Sequence, residues 1–293
     1  NFIYSHNACF YFLSCIFLIG INLIICSERW RKLLLSQGLQ ATFYQTFRFT
    51  LIGIFFNYVI PGGVGGDVVK GYYIVRHHPQ SKTVAAITVA MDRFVGLYTM
   101  MFLALFVMFL DWTQVTSHPQ LKWIFLSLLC LFLGFSLFWT LIFSKRISSH
   151  QFFHKLIGKL PKAEHLIELY SSFAKYSETK KIIFTTFFYS LIAQSLAVLF
   201  FVYVGYALGF SQVNFHTYFF VVPIGIMVTA VPISPAGVGV GQAAFYYLFG
   251  LIQPESAQLG AIGITAMQMF YFIYGLLGAW FYISSKPEKD LKV

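Results

Sequence analysis

The chain has 293 residues, of which 58% are hydrophobic and only 10% are charged, and its mean hydropathy is +0.72. Soluble domains carry about 25% charged residues, so this composition excludes a water-soluble protein and predicts a multi-spanning membrane protein. The net charge is +10, but no basic and aromatic pattern of a nucleic-acid reader occurs, so we expect no nucleic acid as a partner. The apolar runs are long and continuous rather than alternating, which favours an all-α polytopic fold over a β-barrel.

Hydropathy divides the chain into spans and interrupted segments, because a helix needs about 20 apolar residues to cross a membrane. Two apolar segments, 44–76 and 215–253, are interrupted by Pro and Gly. Residues 145–181 form a basic linker, which we expect to be a solvated loop or an amphipathic helix on anionic lipid. We interpret residues 1–293 as a single transmembrane domain. The unbroken predicted spans are 7–26, 83–110, 121–143, 182–207 and 257–283.

Positive charge predicts the orientation of these segments, because Lys and Arg resist translocation. Seventeen of the twenty Lys and Arg residues lie in four regions: the linker 27–43, the stretch 70–82, the linker 145–181 and the C-terminal tail. We expect all four on the cytoplasmic side of the inner (plasma) membrane, which makes the C-terminus cytoplasmic. Each interrupted segment then enters and leaves the membrane on one side as a re-entrant hairpin, the first from the inside and the second from the outside.

The two interrupted segments contain similar turns. "PGGVGGD" occupies residues 61–67 and "PAGVGVG" occupies residues 235–241, an offset of 174 residues. Further on, "ITVAMDRF" at 87–94 loosely resembles "GITAMQMF" at 263–270. Each half therefore reads as span, re-entrant hairpin, span, with a further span linking the halves. This pattern predicts an inverted-topology repeat, in which broken segments at matching positions indicate a transport site.

Four ionised residues fall inside apolar segments: Arg48, Asp67, Asp92 and Arg93. Each costs about 2.5–3.5 kcal/mol at the centre of a membrane helix. They should therefore face inward, form pairs or reach water. Asp67 has two roles open to it: it can cap a helix expected at 68–76, or it can line a cavity at the hairpin tip. The ion pairs Asp92–Arg48 and Asp67–Arg93 are hypotheses. The alternative for both arginines is to bind a lipid phosphate, whose oxygens match a guanidinium fork.

Uncharged polar residues also fall near the expected cavity, and for each of them a hydrogen bond between helices is the alternative to a transport role. No G-x-S-x-G, H-E-x-x-H or C-x-x-C motif occurs, and the glycine turns do not match G-x-G-x-x-G. The four cysteines lack metal-ligand spacing, so we expect neither a metal nor a cofactor. The uncharged polar residues are Asn57, Gln194, Gln242 and Gln268.

Four stretches of the chain carry a resemblance to a known family: "RWRKLLLSQG", "NYVIPGGVGGDVVKGYY", "AAITVAMDRFVGL" and "VPISPAGVGVGQAAFYYL". Together they resemble the membrane-domain family of lysylphosphatidylglycerol synthase/flippase proteins, over nearly the whole chain. Larger members of that family join a lipid-flipping membrane domain to a cytoplasmic aminoacyl transferase domain, and stand-alone members are called flippase-like. The chain departs from many relatives at Gln242, where they carry an acid. The resemblance implies that the functional core contains Pro61, Gly62, Gly65, Gly66, Asp67, Asp92, Arg93, Pro235, Gly237 and Gly239.

These observations favour a flippase-like protein that moves or admits an anionic phospholipid or an isoprenoid-linked lipid between leaflets. Membrane lipids are the expected partners, with a second copy of the chain or an envelope-pathway protein left open as a further partner. One alternative is a membrane-embedded enzyme that modifies lipid head groups, with Asp67 or Asp92 as the base. Another is a scaffold subunit of a cell-envelope lipid or glycolipid pathway, which would transport nothing itself.

Overall fold

The computed structural model describes residues 8–60, 64–143, 171–210, 212–231 and 233–284. Every regular element within these ranges is helical, which confirms the all-α prediction. Three 3-10 turns, Lys175–Thr179, Pro235–Gly237 and Pro254–Ser256, interrupt or precede the helices. The α-helices are α1 Ala8–Ser36, α2 Phe43–Val59, α3 Gly65–His77, α4 Lys82–Leu110, α5 Trp112–Ser117, α6 Pro119–Phe143, α7 Lys180–Ala207, α8 Phe215–Thr229, α9 Val240–Ile252 and α10 Ala257–Ser284.

The protein is a multi-pass membrane protein by the length and hydropathy of its helices. All five predicted unbroken spans are helical where the structure describes them. Part of the second interrupted segment, Pro235–Ile252, is also long and apolar enough to cross a membrane. The six candidate spans in the described ranges are Cys9–Ser36, Lys82–Leu110, Pro119–Leu141, Ser171–Ala207, Pro235–Ile252 and Pro254–Ser284.

The first helix is longer than the sequence predicts. Hydropathy ends the first span at residue 26 and assigns 27–43 to a linker, but α1 continues through the charged residues that follow. Arg31 donates two hydrogen bonds to Glu28, at 2.6 and 2.7 Å, and such i,i+3 pairs favour helix. The chain leaves the helix at Gly38, whose φ of 82° is readily adopted only by glycine. The linker predicted at 27–43 is therefore helical over its first ten positions.

The two interrupted segments both become pairs of short helices. The first half contains helices of 29, 17, 13 and 29 residues, α1 to α4. The corresponding helices of the second half, α7 to α10, have 28, 15, 13 and 28 residues. The two halves therefore share one order of elements: long, short, short, long. We call α2, α3 and the turn between them the first hairpin, and α8, α9 and their turn the second hairpin.

The basic linker predicted at 145–181 lies largely outside the described residues, as do Pro61, Gly62 and the C-terminal tail. The described end of this linker is helical from residue 171 and passes through the turn Lys175–Thr179 into α7. Tyr176 in this turn is buried, and its hydroxyl donates to the Leu33 carbonyl of α1 at 3.4 Å. This part of the linker therefore packs against α1 through Tyr176, while Lys180 and Lys181 of the same stretch are exposed.

The chain forms two compact units. The first, called the hairpin unit, comprises Asn1–Ser27, Phe43–Lys70 and Ile192–Val293. The second, called the α4 unit, comprises Glu28–Thr42 and Gly71–Leu191. The hairpin unit therefore contains the turns of both hairpins, together with α10.

The hairpin unit is built around α10. A Cβ at Gly278 would overlap the Leu51 carbonyl, so α10 and α2 pack backbone against backbone. On another side of α10, Tyr274 donates to the Ile16 carbonyl of α1 at 2.9 Å. Helix α9 also packs along α10. One long helix therefore holds parts of both hairpins.

The α4 unit has a separate core. Buried Leu33 of α1 and Met91 of α4 pack with Tyr176, and the partly buried Trp139 of α6 packs against this cluster. Helix α6 contacts α4, and Tyr98 stacks on Phe132 with ring centroids 4.7 Å apart. Most of α6 is otherwise exposed, as expected for a helix that faces lipid.

Candidate functional site

The first hairpin closes by direct contact between its two helices. The backbone N–H of Gly66 donates to Asn57 Oδ1 at 2.7 Å. A Cβ at Gly66 would overlap the Gly53 carbonyl, and a Cβ at Gly53 would lie 2.9 Å from the Gly66 carbonyl oxygen. Gly65 is equally crowded, since its Cβ would lie 2.8 Å from the Phe56 carbonyl oxygen. The predicted residues Asn57, Gly65 and Gly66 are thus brought together, and Gly53 is a partner that sequence analysis missed.

Asp67 lies in the first turn of α3 but does not open it. The helix begins at Gly65, two residues before Asp67 and three before the predicted start at 68. The expectation that Asp67 caps a helix over 68–76 is therefore wrong in its register. A half-buried carboxylate at the third position of a helix still interacts favourably with the positive end of the helix dipole.

The second hairpin turns through residues with unusual backbone angles. Ala236 has φ 48°, Gly237 has φ 72° and Gly239 has φ 85°. Glycine adopts these angles freely, whereas an alanine in the left-handed region costs about 1–2 kcal/mol. Pro235 begins the short 3-10 turn that contains Ala236. Because backbone strain of this kind collects at functional sites, the turn is a candidate site on geometry as well as on sequence.

A closed chain of three hydrogen bonds holds this turn. The Gly239 N–H donates to Gln242 Oε1 at 2.7 Å, and Gln242 Nε2 donates to Gln268 Oε1 at 2.8 Å. Gln268 Nε2 then donates to the Ala236 carbonyl at 3.1 Å. Gln242 Nε2 also lies 3.1 Å from Thr265 Oγ1. Both ends of the chain are backbone groups of one turn, so two glutamines, on α9 and α10, clamp it. Gln242 and Gln268 thus form a hydrogen bond between helices.

The two hairpins meet at Gln268. The hydroxyl group of Tyr58, at the end of α2, donates a hydrogen bond to the backbone carbonyl of Gln268 at 2.6 Å. Helix α2 also contacts the turn Pro235–Gly237 of the second hairpin. The valines at matching positions of the two turns, Val64 and Val238, are 44% and 49% exposed, so each tip presents an apolar side chain at the surface. We call the contacts of Tyr58 and of the second turn with Gln268 the hairpin junction.

A second polar cluster lies in the α4 unit and centres on an ion pair. Arg29 Nε lies 2.7 Å from Asp92 Oδ1, and both side chains are less than 10% exposed. Arg29 Nη1 donates to Ser190 Oγ of α7 at 2.8 Å. The cluster therefore joins α1, α4 and α7. It lies about 15 Å along α4 from the start of that helix, at 1.5 Å per residue.

Sequence analysis missed Arg29 because the positive-inside rule assigns an arginine at the end of an apolar run to a loop. The neighbouring Trp30 is also fully buried, and its indole N–H donates to Thr88 Oγ1 at 3.2 Å. Gly96, one turn beyond Asp92, leaves room for the guanidinium, since a Cβ there would lie 3.5 Å from Arg29 Nη1.

The remaining predicted charges are distributed over both units. Arg48 is half-buried on α2 of the hairpin unit, and Arg93 is half-buried on α4. The pairings Asp92–Arg48 and Asp67–Arg93 stay predictions, whereas the partner described at Asp92 Oδ1 is Arg29.

Comparison with known proteins agrees with this fold. Residues 4–278 match the model of the family described as the lysylphosphatidylglycerol synthase TM region. The chain belongs to this family. It is 23% identical to the UPF0104 membrane protein PH1989 of Pyrococcus horikoshii, over 92% of this chain and 85% of that protein. It is 29% identical to the UPF0104 membrane protein MJ1595 of Methanocaldococcus jannaschii, over 54% of this chain and only 44% of that protein. No solved structure matches the chain.

Proposed function

We propose that this protein moves, or admits, a lipid with an anionic head group between the leaflets of the inner membrane. The lipid is an anionic phospholipid or an isoprenoid-linked lipid. The observation that carries the proposal is the hairpin junction, where Tyr58 of one hairpin and the turn of the other meet at Gln268.

The junction has the features expected of a transport site. Irregular backbone is tolerated at membrane depth only where protein or a wet cavity covers it. Discontinuous helices at matching positions of two halves build the substrate site in many transporters. The repeated order of long and short helices supports this arrangement here. We propose that the hairpins are re-entrant and enter from opposite faces, with the basic linkers and the C-terminus cytoplasmic.

Half-buried charges suit the head group of the proposed lipid. A guanidinium presents a fork of donors that matches phosphate oxygens, so Arg48 in the hairpin unit and Arg93 in the α4 unit are two separate candidates to contact a head group. Asp67, at the start of α3, lies beside the first tip. The acyl chains would remain in the bilayer along exposed apolar residues such as Val64 and Val238. The family, named for lysylphosphatidylglycerol synthases, supports a lipid as the ligand.

The test is transbilayer movement of fluorescent lipids in proteoliposomes, measured by chemical quenching of the outer leaflet. Phosphatidylglycerol, phosphatidylcholine and a polyisoprenyl phosphate are compared, with empty liposomes as the control. Movement that depends on an anionic head group and falls in the variant Arg48→Gln/Arg93→Gln is the expected result. No head-group-dependent movement of any of these lipids would overturn the proposal.

Two other outcomes select the alternatives. A covalently altered lipid that disappears in Asp67→Asn or Asp92→Asn would identify a head-group-modifying enzyme. Stable co-purification with an envelope-pathway protein, together with cellular function that survives neutralisation of Asp92 and Arg93, would identify a scaffold. Mass spectrometry of the lipids and proteins that co-purify from native membranes distinguishes both outcomes from transport.

A further inference from the structure

We infer that Gln268 is a positioning residue: its amide holds the turn at Ala236 in a left-handed conformation, and lipid passage requires that conformation rather than contact between Gln268 and the lipid. The part of this inference that concerns lipid passage rests on the proposed function. The part that concerns the turn stands on its geometry alone.

The first step is the strain at Ala236. Its φ of 48° lies in the region that L-amino acids other than Gly, Asn and Asp seldom occupy. The matching position of the first hairpin is Gly62, which would adopt such angles at no cost. Something outside residue 236 must therefore stabilise this turn.

The second step is the direction of the hydrogen bonds. Gln268 Oε1 accepts a hydrogen bond from Gln242 Nε2 at 2.8 Å, and Gln268 Nε2 donates a hydrogen bond to the Ala236 carbonyl at 3.1 Å. An amide has both an acceptor oxygen and donor hydrogens, whereas an ionised carboxylate only accepts and an alkyl group does neither. Gln268 is 8% exposed, so its bonds do not exchange readily with water. The Ala236 carbonyl thus depends on an amide at this position.

The third step links the turn to the other hairpin. The main chain of Gln268 accepts from the Tyr58 hydroxyl, while its side chain holds the second turn. A side-chain substitution at 268 therefore leaves the Tyr58 contact available and removes only the clamp on the second turn. This separation allows the two functions of the junction to be tested independently.

The experiment measures hydrogen exchange of the backbone amides at 236–242 in nanodiscs. Gln268→Leu should raise their exchange about five-fold, the effect of one lost buried hydrogen bond. Adding Ala236→Gly to Gln268→Leu should restore exchange to within about two-fold of wild type, because glycine adopts the left-handed angles without strain.

Two controls match these variants. Gln194→Leu removes a glutamine of similar burial from α7 and should leave exchange at the turn unchanged. Ala230→Gly added to Gln268→Leu should fail to restore it, because Ala230 has an ordinary φ of −75°. The inference is overturned if Gln268→Leu leaves exchange at the turn unchanged, or if the two glycine substitutions restore it equally.

Lipid movement in proteoliposomes gives the second readout. It should fall with Gln268→Leu and recover with Ala236→Gly/Gln268→Leu. If Ala236→Gly/Gln268→Leu restores hydrogen exchange at the turn but not lipid movement, Gln268 contacts the lipid directly and the positioning role is overturned. If the wild-type protein moves no lipid, the proposed function fails, while the exchange data still decide what Gln268 does to the turn.

Discussion

Residues 92 and 268 occupy matching positions when "ITVAMDRF" is aligned with "GITAMQMF", yet they organise two different kinds of polar cluster. In the α4 unit, Asp92 forms a buried ion pair with Arg29 at 2.7 Å. In the hairpin unit, Gln268 joins an uncharged network of two amides, a tyrosine hydroxyl and backbone groups. The comparison indicates that matching positions of two similar sequence stretches each lie at the centre of a polar cluster, with different chemistry.

The difference has a physical consequence for stability. A buried charge left without its partner is costly, so an ion pair resists any movement that separates the helices it joins. Amide hydrogen bonds in membranes are worth much less, on average about 0.6 kcal/mol. We therefore expect the Arg29–Asp92 cluster to fix the long helices. We expect the hairpin junction to change conformation more readily than this cluster.

The largest expected effect comes from breaking the ion pair. Arg29→Met should lower the free energy of unfolding by about 3–5 kcal/mol, because it removes the guanidinium that lies 2.7 Å from the buried Asp92 carboxylate. Arg31→Met is the matched control on the same helix: its pair with Glu28 is about a quarter exposed, and its loss should cost less than about 1 kcal/mol. Denaturant titration of the purified protein in mixed micelles measures both. Equal losses in the two variants would contradict the comparison.

A smaller effect is expected from crowding the first hairpin. Gly66→Ala should destabilise the protein by about 1–3 kcal/mol, because the added methyl group overlaps the Gly53 carbonyl and forces the helices apart. Gly71→Ala is the control in the same helix, since a Cβ there meets nothing within 4 Å. It should be neutral or stabilise by up to about 1 kcal/mol. The same denaturant titration measures the free energy of unfolding of both variants. A Gly66→Ala variant as stable as wild type would contradict backbone contact between Gly53 and Gly66.

The smallest effect is expected from the uncharged network. A double-mutant cycle with Gln242→Leu and Gln268→Leu should give a coupling energy of about 0.6 kcal/mol and not above about 1.7 kcal/mol. The equivalent cycle with Arg29→Met and Asp92→Leu should give a coupling of several kcal/mol. Equal coupling energies in the two cycles would show that the ion pair at position 92 is no stronger than the amide network at position 268.

Sequence alone predicts what depends on local composition. Apolar length gives the spans, and Pro and Gly give the breaks that become α2–α3 and α8–α9. A hydrogen bond between helices was an alternative for each of Gln242 and Gln268, but the sequence does not predict that they bond to each other. The second turn motif also identifies the turn that Gln268 holds at the hairpin junction.

Sequence does not predict what depends on distant partners. Arg29 looks like a loop residue until Asp92, 63 positions away, is placed beside it. In the sequence, Gly53 is one glycine of an apolar helix. Only its contact with Gly66 shows why a side chain there would be too large. The left-handed angle of Ala236 depends on an amide 32 positions further along the chain. Each of these features is a tertiary contact that no local pattern encodes.

The most direct test of the central claim is photocrosslinking of an anionic lipid to the hairpin junction. A benzoylphenylalanine probe is placed at Val64 or Val238 on the two tips, and at Leu133 on the exposed face of α6 as the control. In proteoliposomes with radiolabelled phosphatidylglycerol, we expect adducts at both tips that excess unlabelled anionic lipid removes and zwitterionic lipid does not. Adducts that are equally strong and equally insensitive to head group at all three positions would contradict a lipid site at the hairpin junction.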